Sequence, residues 1–299
     1  MNKKGSIVTI GVFDGVHIGH QAVIKKAVRK ARSYGLKSIV VTFDPHPLKV
    51  LDPRHFIPSL ISLDHRIDLI KRSGIDEVFV IKFSKRTANI SPERFMEDVI
   101  IGRMHAREIV VGEDFYFGKG AVAGVEKLRK IAEKRSIKVE IVKHVRKNSR
   151  IVSSTIIRRL VMDGRIREAE QFLGRPYSIL GTVVSGTKLA RKLGYPTANV
   201  NPHHEAMPPS GVYAVKVISG GRTYGGVMNI GVRPTFYDRG HDKEPTIEVH
   251  IFDFHKKIYG KDLEIRFVRK IRDERRFKAI DRLIEQIEKD ERSAKALLR

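Results

Sequence analysis

The first half of the chain alternates short β-branched runs with stretches of helical periodicity. Ser6–Ile10 (SIVTI) is a near-continuous apolar run, and residues 38–43 (SIVVTF) repeat its texture. Between them, residues 21–34 place Ala22, Val23, Ala27, Val28 and Ala31 at helical spacing. Residues 78–81 and 109–111 read as further buried strands, and residues 137–142 (IKVEIV) alternate like an edge strand. Helical patterns fall near residues 64–72, 92–101 and 125–134. This alternation predicts a parallel sheet covered by helices on both faces. Such sheets bind ligands beyond the carboxyl ends of their strands.

Residues 155–159 and Ile166–Leu173 read as two short helices broken at Asp163-Gly164. After Gly174-Arg175-Pro176 the texture changes. Strand-like runs at 179–184, 211–218, 224–230, 246–252 and 263–268 lie close together, separated by Gly and Pro, with no helical crossover. That pattern predicts a small antiparallel barrel. The chain ends in an amphipathic helix with Phe277, Ile280, Leu283, Ile284 and Ile287 on one face, expected to pack on the barrel. The reading is α/β followed by all-β: a Rossmann-like domain over 1–170 and a barrel domain over 171–299.

A length of 299 residues suits two domains, and 41% apolar residues suffice for ordinary cores. The chain has no Cys, which excludes a disulfide scaffold, a thiolate metal site and a cysteine nucleophile. No window offers the 18 or more apolar residues of a spanning helix, and Met1-Asn2-Lys3-Lys4-Gly5 has no export signature. The expectation is a soluble cytoplasmic protein without a membrane partner. Lys and Arg number 58 against 34 Asp and Glu, a formal charge of +24 spread over both halves. This excess attracts polyanions: nucleic acid through phosphate neutralisation, or small molecules such as ATP. It also suits a solvated surface of the heat-stable kind. Phe and Tyr do not alternate with the basic runs, so no single-strand stacking platform is visible, which weighs against nucleic acid as a partner. A homo-oligomer is left open.

The first strand runs directly into Gly11-Val12-Phe13-Asp14-Gly15-Val16-His17-Ile18-Gly19-His20. Glycines let the backbone turn tightly and approach a ligand. The helix beginning here aims its free N–H groups and positive dipole end at the loop, which favours an anion. His17 and His20, three apart, share one face and can donate to a phosphoryl group as charge develops. The same residues, without that context, would serve as surface histidines or half a metal site. Ser153-Ser154-Thr155-Ile156-Ile157-Arg158 opens a later helix. Ser153 or Ser154 stands as N-cap and phosphate donor, and Arg158 as a fork of donors one turn on.

The order Gly-x-Phe-Asp-Gly-x-His-x-Gly-His resembles the nucleotidyltransferase superfamily that includes the class I aminoacyl-tRNA synthetases. Adding Thr42-Phe43-Asp44-Pro45-His46-Pro47 and the 111–120 segment (VGEDFYFGKG) narrows the resemblance. Together with 153–158 they look like the FAD synthetase module of prokaryotic bifunctional riboflavin kinase/FMN adenylyltransferases. The resemblance implies that His17 and His20 contact ATP phosphates, with Gly11, Phe13, Asp14, Gly15 and Gly19 shaping that loop. It implies that Ser153, Ser154, Thr155 and Arg158 complete the phosphate clamp. Asp44, His46, Gly112, Asp114, Phe115 and Phe117 would help hold the flavin. The chain departs from the family pattern at Val12, Tyr116 and Ala121.

The second half carries 181–199 (GTVVSGTKLARKLGYPTAN), a Gly-rich basic segment without the Gly-Lys-Ser/Thr core of a P-loop. Thr197 and Asn199 alternate in an extended stretch, and their neutral oxygens suit a Mg²⁺ that also takes water and phosphate. Glu248 sits within an apolar strand. It can serve as a base if it points into the barrel, but strand alternation equally allows it to face solvent. Pro196-Thr197-Ala198-Asn199, 211–214, 229–236, 248–250 and 258–261 are similar in order and spacing to the riboflavin kinase family, a six-stranded antiparallel barrel. The resemblance implies Mg²⁺ with ATP near Thr197 and Asn199, and Glu248 as base for the riboflavin 5′-hydroxyl. Gly186, Lys188, Arg191 and Gly194 would belong to the nucleotide loop. Ala190 departs from that family's usual Gly.

Both modules together imply a two-step enzyme using riboflavin, FMN and ATP as small-molecule substrates. FMN is product then substrate, and FAD is the final product. The alternative is a tRNA-binding or synthetase-like nucleotidyltransferase. His17-Ile18-Gly19-His20 spells the synthetase motif, and Lys82-Phe83-Ser84-Lys85-Arg86 loosely echoes its lysine loop. Against it, that loop belongs after the last strands of the nucleotide domain, where 153–158 stands instead.

Overall fold

The computed structural model describes residues 5–54, 57–186, 194–204, 206–232, 245–275, 277 and 279–299. It divides into two compact units: residues 1–59 with 63–157, and residues 60–62 with 158–299.

The first unit is a five-stranded parallel sheet in the order β3-β2-β1-β4-β5. Its strands are β1 (Ser6–Ile10), β2 (Lys37–Asp44), β3 (Glu77–Lys82), β4 (Ala106–Gly112) and β5 (Lys138–Val142). β5 lies at an edge, as its alternation predicts. β1 is buried at every position, which explains its unbroken apolar pattern. Helix α1 (Ile18–Ser33) covers one face through Val23, Ala27, Val28 and Ala31 of its periodic stripe together with Ile24, while Ala22 is only half-buried. On the main core side, Val8, Ile10, Ile39, Val41 and Ile109 pack with Phe95, Met96 and Leu128.

Short helices α2 (Pro47–Leu51), α3 (Leu63–Arg72) and α4 (Lys85–Ala88) follow strands β2 and β3. The predicted helix over 92–101 begins as α5 (Pro92–Phe95) and continues with π geometry over Met96–Ile101. Helix α6 (Val125–Glu133) precedes β5, and a small hairpin of β6 (Arg146–Lys147) and β7 (Arg150–Ile151) precedes α7 (Ser154–Met162). The segment 82–86 that echoes a lysine loop is the end of β3 plus the start of α4. There Ser84 and Thr87 form a reciprocal capping box.

The second unit holds α8 (Ile166–Leu173) and a closed barrel ordered β10-β11-β12-β9-β8-β13. Its strands are β8 (Ser178–Val184), β9 (Ala198–Pro202), β10 (Gly211–Ser219), β11 (Arg222–Val232), β12 (Pro245–Ile251) and β13 (Asp262–Arg272). The barrel interior is apolar: Tyr213, Val215, Val217, Met228, Ile230, Ile247, Val249 and Phe267 are all buried. Helix α9 (Ile280–Leu298) packs on the barrel as expected, with Leu283, Ile284 and Ile287 of the stripe half-buried. Phe277 precedes the helix and lies under the Arg272 guanidinium at 5.8 Å, while Ile280 is 61% exposed. Near the helix end, Ala294, Leu297 and Leu298 meet Ala214, Val227 and Phe252. Asp290, 4% exposed, pairs with Arg272 at 2.8 Å and anchors the helix. Asp290 follows Leu283 by seven residues and Ile287 by three, so the buried ion pair lies on the same face as the apolar stripe.

Candidate functional site

The first site is built at the end of β1. The connection to α1 turns through left-handed backbone at Phe13 (φ 54°), Gly15 (φ 81°) and Val16 (φ 41°). Positive φ at a β-branched residue is strained, and such strain persists only where surrounding contacts hold it. Phe13 and Val16 are buried and anchor the loop. His17 is the N-cap of α1: its Nδ1 accepts the backbone N–H of His20 at 3.3 Å. The two imidazoles stack, with centroids 3.5 Å apart and planes 18° from parallel. The Phe13 ring meets His20 edge-on at 5.2 Å. A side chain at Gly19 would touch the His17 ring at 3.1 Å, so this glycine clears the space that the imidazole occupies.

Helix α7 begins beside this loop. The Ser153 hydroxyl accepts the N–H of Ile156 at 3.3 Å, and is therefore the capping hydroxyl. The Ser154 hydroxyl donates to the Asp14 carbonyl at 2.8 Å. Thr155 is exposed and Arg158 half-buried. Asp14 is buried, at 2% exposure.

The rim beyond β2 carries Asp44, half-exposed, and His46, whose Nδ1 accepts the N–H of Leu48 at 3.2 Å and caps α2. The Asp44–Pro45 peptide is cis. Beyond β4, a Cβ on Gly112 would meet Asp114 Oδ1 at 2.9 Å, so Gly112 makes room for that carboxylate. Asp114 is exposed and Phe115 half-buried. Phe117 is a core residue, stacked on Phe115 at 5.4 Å and tilted against Phe95 at 6.0 Å.

The second site lies on the outer face of the barrel. Strand pairing decides what periodicity leaves open. Ile247 and Val249 point inward, so Glu248 between them faces outward rather than into the barrel, where the base reading places it, and is half-buried against its neighbouring strands. It stands directly opposite Asn199 of β9 on one side and Asn229 of β11 on the other. Directly opposed residues bring their Cβ atoms within about 5.5 Å, so the carboxylate is flanked by two carboxamides. A Cβ on Gly186 would fall 2.0 Å from Asn199 Nδ2, so only glycine lets that carboxamide stand where it does. Thr197 immediately precedes β9, and its neighbour Pro196 is held by His250, whose Nδ1 lies 2.8 Å from the Pro196 carbonyl. Gly194 turns through φ 88°. Lys188 and Arg191 lie outside the described residues.

Two residues enter that the sequence reading gave no role in a site. Asn229 belongs to the row through Glu248, visible only once strands are paired. Arg66 lies behind the first loop, and an Arg in an amphipathic helix otherwise reads as solvent-facing. Among the described residues no cluster of three or more His, Cys, Asp or Glu could hold a metal, and no helix is long and apolar enough to cross a membrane.

Comparison with known proteins identifies the family. Residues 1–156 match the FAD synthetase family and residues 173–298 the riboflavin kinase family. A bifunctional riboflavin kinase/FMN adenylyltransferase of Listeria monocytogenes is 39% identical over 97% of this chain and 91% of its own. The enzyme of the same name from Bacillus subtilis is 38% identical over 97% and 91%, and that of Escherichia coli K12 33% over 98% and 93%. A solved structure described as a macrolide-efflux protein from Streptococcus pneumoniae covers 99% of this chain and 95% of its own, with TM-score 0.84 and 33% identity. Riboflavin phosphorylation and FMN adenylylation therefore reside on one polypeptide, and the chain belongs to the bifunctional riboflavin kinase/FMN adenylyltransferase family.

Proposed function

We propose that the loop after β1 and the start of α7 form the adenylylation site, and that the outer barrel row through Glu248 forms the kinase site. Residues 1–170 then carry FAD synthesis and residues 171–299 carry FMN synthesis, in the cytoplasm. The observation that carries the first assignment is the stacked His17–His20 pair at the mouth of α1. A helix N-terminus with two imidazoles offers donors to an ATP phosphate from several directions. A terminal phosphate oxygen of FMN attacks the α-phosphorus of ATP, and the bond to the β-phosphate oxygen breaks. FAD and pyrophosphate result. The protein supplies alignment and charge stabilisation. Arg158 and the Ser153–Thr155 turn face the negative charge, while Asp44, His46, Asp114 and Phe115 hold the flavin.

In the kinase site Glu248 takes the proton of the riboflavin 5′-hydroxyl, whose oxygen attacks the γ-phosphorus of ATP and releases ADP. Thr197 and Asn199 fit a Mg²⁺ delivered with ATP: a hydroxyl and a carboxamide oxygen are hard, neutral ligands that leave room for water and phosphate. When bound, that ion neutralises charge on the phosphates. Gly186 and Gly194 border the nucleotide loop that contains Lys188 and Arg191.

Crystals soaked with Mg-ATP and FMN test both assignments together. Nucleotide density is expected at the His17–His20 pair and beside Asn199. Calorimetry that finds at most one adenine nucleotide per chain at saturation would refute the two-site assignment.

A further inference from the structure

Arg66 lies on α3, and its side chain is 6% exposed. Nη1 donates to the Val12 carbonyl at 2.9 Å and Nη2 to the Phe43 carbonyl at 2.9 Å. Val12 sits in the loop that ends in His17 and His20. Phe43 directly precedes Asp44 on the rim beyond β2. The same Val12 carbonyl accepts from Thr42 Oγ1 at 3.0 Å, and Thr42 is fully buried. Asp44 Oδ1 stands 3.9 Å from Nη2. Nε has no hydrogen-bond partner among the described residues. Burial pushes this guanidinium below the usual arginine range, and the charges of Asp14 and Asp44 offset only part of that.

A buried guanidinium bonded to two carbonyls, with the Asp44 carboxylate 3.9 Å away, is a costly way to fill space, and an apolar side chain would do so more cheaply. What it supplies is a planar fork whose donors keep a fixed spacing, which a lysine cannot reproduce. The two carbonyls it grips belong to two different substrate-side segments.

We propose that Arg66 is a positioning residue that couples the nucleotide loop to the flavin-side rim of the adenylylation site. This rests on the assignment of those two segments made above. When a phosphate settles on the 11–20 loop, the shift of Val12 is passed through the rigid fork to Phe43 and so to Asp44. Attack on the α-phosphorus needs both substrates aligned at once, and a single side chain bonded to both segments meets that need.

Hydrogen–deuterium exchange on the full chain tests this, with α,β-methylene-ATP as probe. Wild type is expected to gain protection in peptides covering both 11–20 and 43–51. Arg66→Lys is expected to keep protection at 11–20 and lose it at 43–51, with FAD synthesis down about 10- to 100-fold and riboflavin phosphorylation unchanged. Thr42→Val, a nearly isosteric change at the same carbonyl, is expected to move both readouts in the same direction by less, and covers the case that Arg66→Lys does not fold. Protection of both peptides in either folded variant, equal to wild type, overturns the coupling. Wild type protected at 11–20 alone also overturns it while leaving the site assignment standing. No protection at 11–20 in wild type sinks the assignment and the coupling together.

Discussion

The Ser154 hydroxyl donates to the Asp14 carbonyl at 2.8 Å, joining segments 140 residues apart in the chain. One end opens α7; the other lies in the loop after β1. The bond fixes the relation between two helix mouths, those of α1 and α7. Ser153 caps α7, so Ser154 is released from capping for this long-range role.

Ser154→Ala is therefore expected to act on geometry more than on helix stability. Losing one part-buried hydrogen bond costs about 0.5–1.5 kcal/mol. FAD synthesis is expected to fall about tenfold, because small misplacements of reacting groups are expensive. Riboflavin phosphorylation in the same chain should keep its wild-type rate. Ser153→Ala, by contrast, should lower the melting temperature of the first unit through its lost cap. Steady-state assays of both activities beside thermal unfolding of each variant check this.

His17 has two separable roles, capping α1 and facing phosphate. Asn is also a good N-cap, while Ala is not. His17→Ala should cost about 0.5–2 kcal/mol of stability and reduce FAD synthesis about 10²- to 10³-fold. His17→Asn should recover the stability and leave the rate depressed. If His17→Asn restored the rate, the imidazole would be a cap and nothing more. Chromatography of flavins made from FMN and Mg-ATP reads the rate, and urea unfolding reads the stability.

Much of this architecture is readable from the chain because β1 and the α1 stripe are plainly patterned, and both lead to the Gly11–His20 loop. Other features depend on partners distant in sequence. Residue 248 occupies a position of strict alternation, yet its face is settled only by the burial of Ile247 and Val249 in the closed barrel, and its neighbours Asn199 and Asn229 only by strand pairing. Short helices α2 and α4 are set by the caps His46 and Ser84, too local for an apolar period to mark. The terminal helix also carries the buried Arg272–Asp290 pair, whose charges read as surface residues. Arg66 is hidden for the same reason: burial of a charge follows from what surrounds it.

Glu248 gives the sharpest separation of the two activities. Gln at this position keeps shape and hydrogen bonding but cannot take a proton at neutral pH. Glu248→Gln should lower FMN formation from riboflavin about 10²- to 10⁴-fold. FAD formation from supplied FMN should be untouched. Asn229→Asp places a like charge directly opposite the carboxylate and should shift the acid limb of the kinase pH profile upward, since a neighbouring negative charge favours the protonated form. A profile unchanged in Asn229→Asp would mean that the two side chains do not sense each other.

Tyr213 makes the barrel sensitive to alkali. Its ring is fully buried, edge-on to Phe267 at 5.3 Å, and its hydroxyl donates to the Pro209 carbonyl at 2.5 Å. Burial, with the Asp273 charge adding to it, pushes the phenol up to about 12 from 10.0. The folded pKa is thus above the unfolded one. Below about pH 10 the phenol is neutral in both states, and its contribution to stability is fully present. Between 10 and 12 the unfolded chain ionises first, and the contribution drains away as pH rises. Tyr213→Phe keeps the ring and should cost about 1 kcal/mol at neutral pH through the lost hydrogen bond. Its stability should then fall less steeply than wild type across that alkaline window. Urea unfolding of the second unit at pH 8, 10 and 11, with wild type and variant side by side, measures the difference. Parallel curves would show that the phenol takes no part in the alkaline loss.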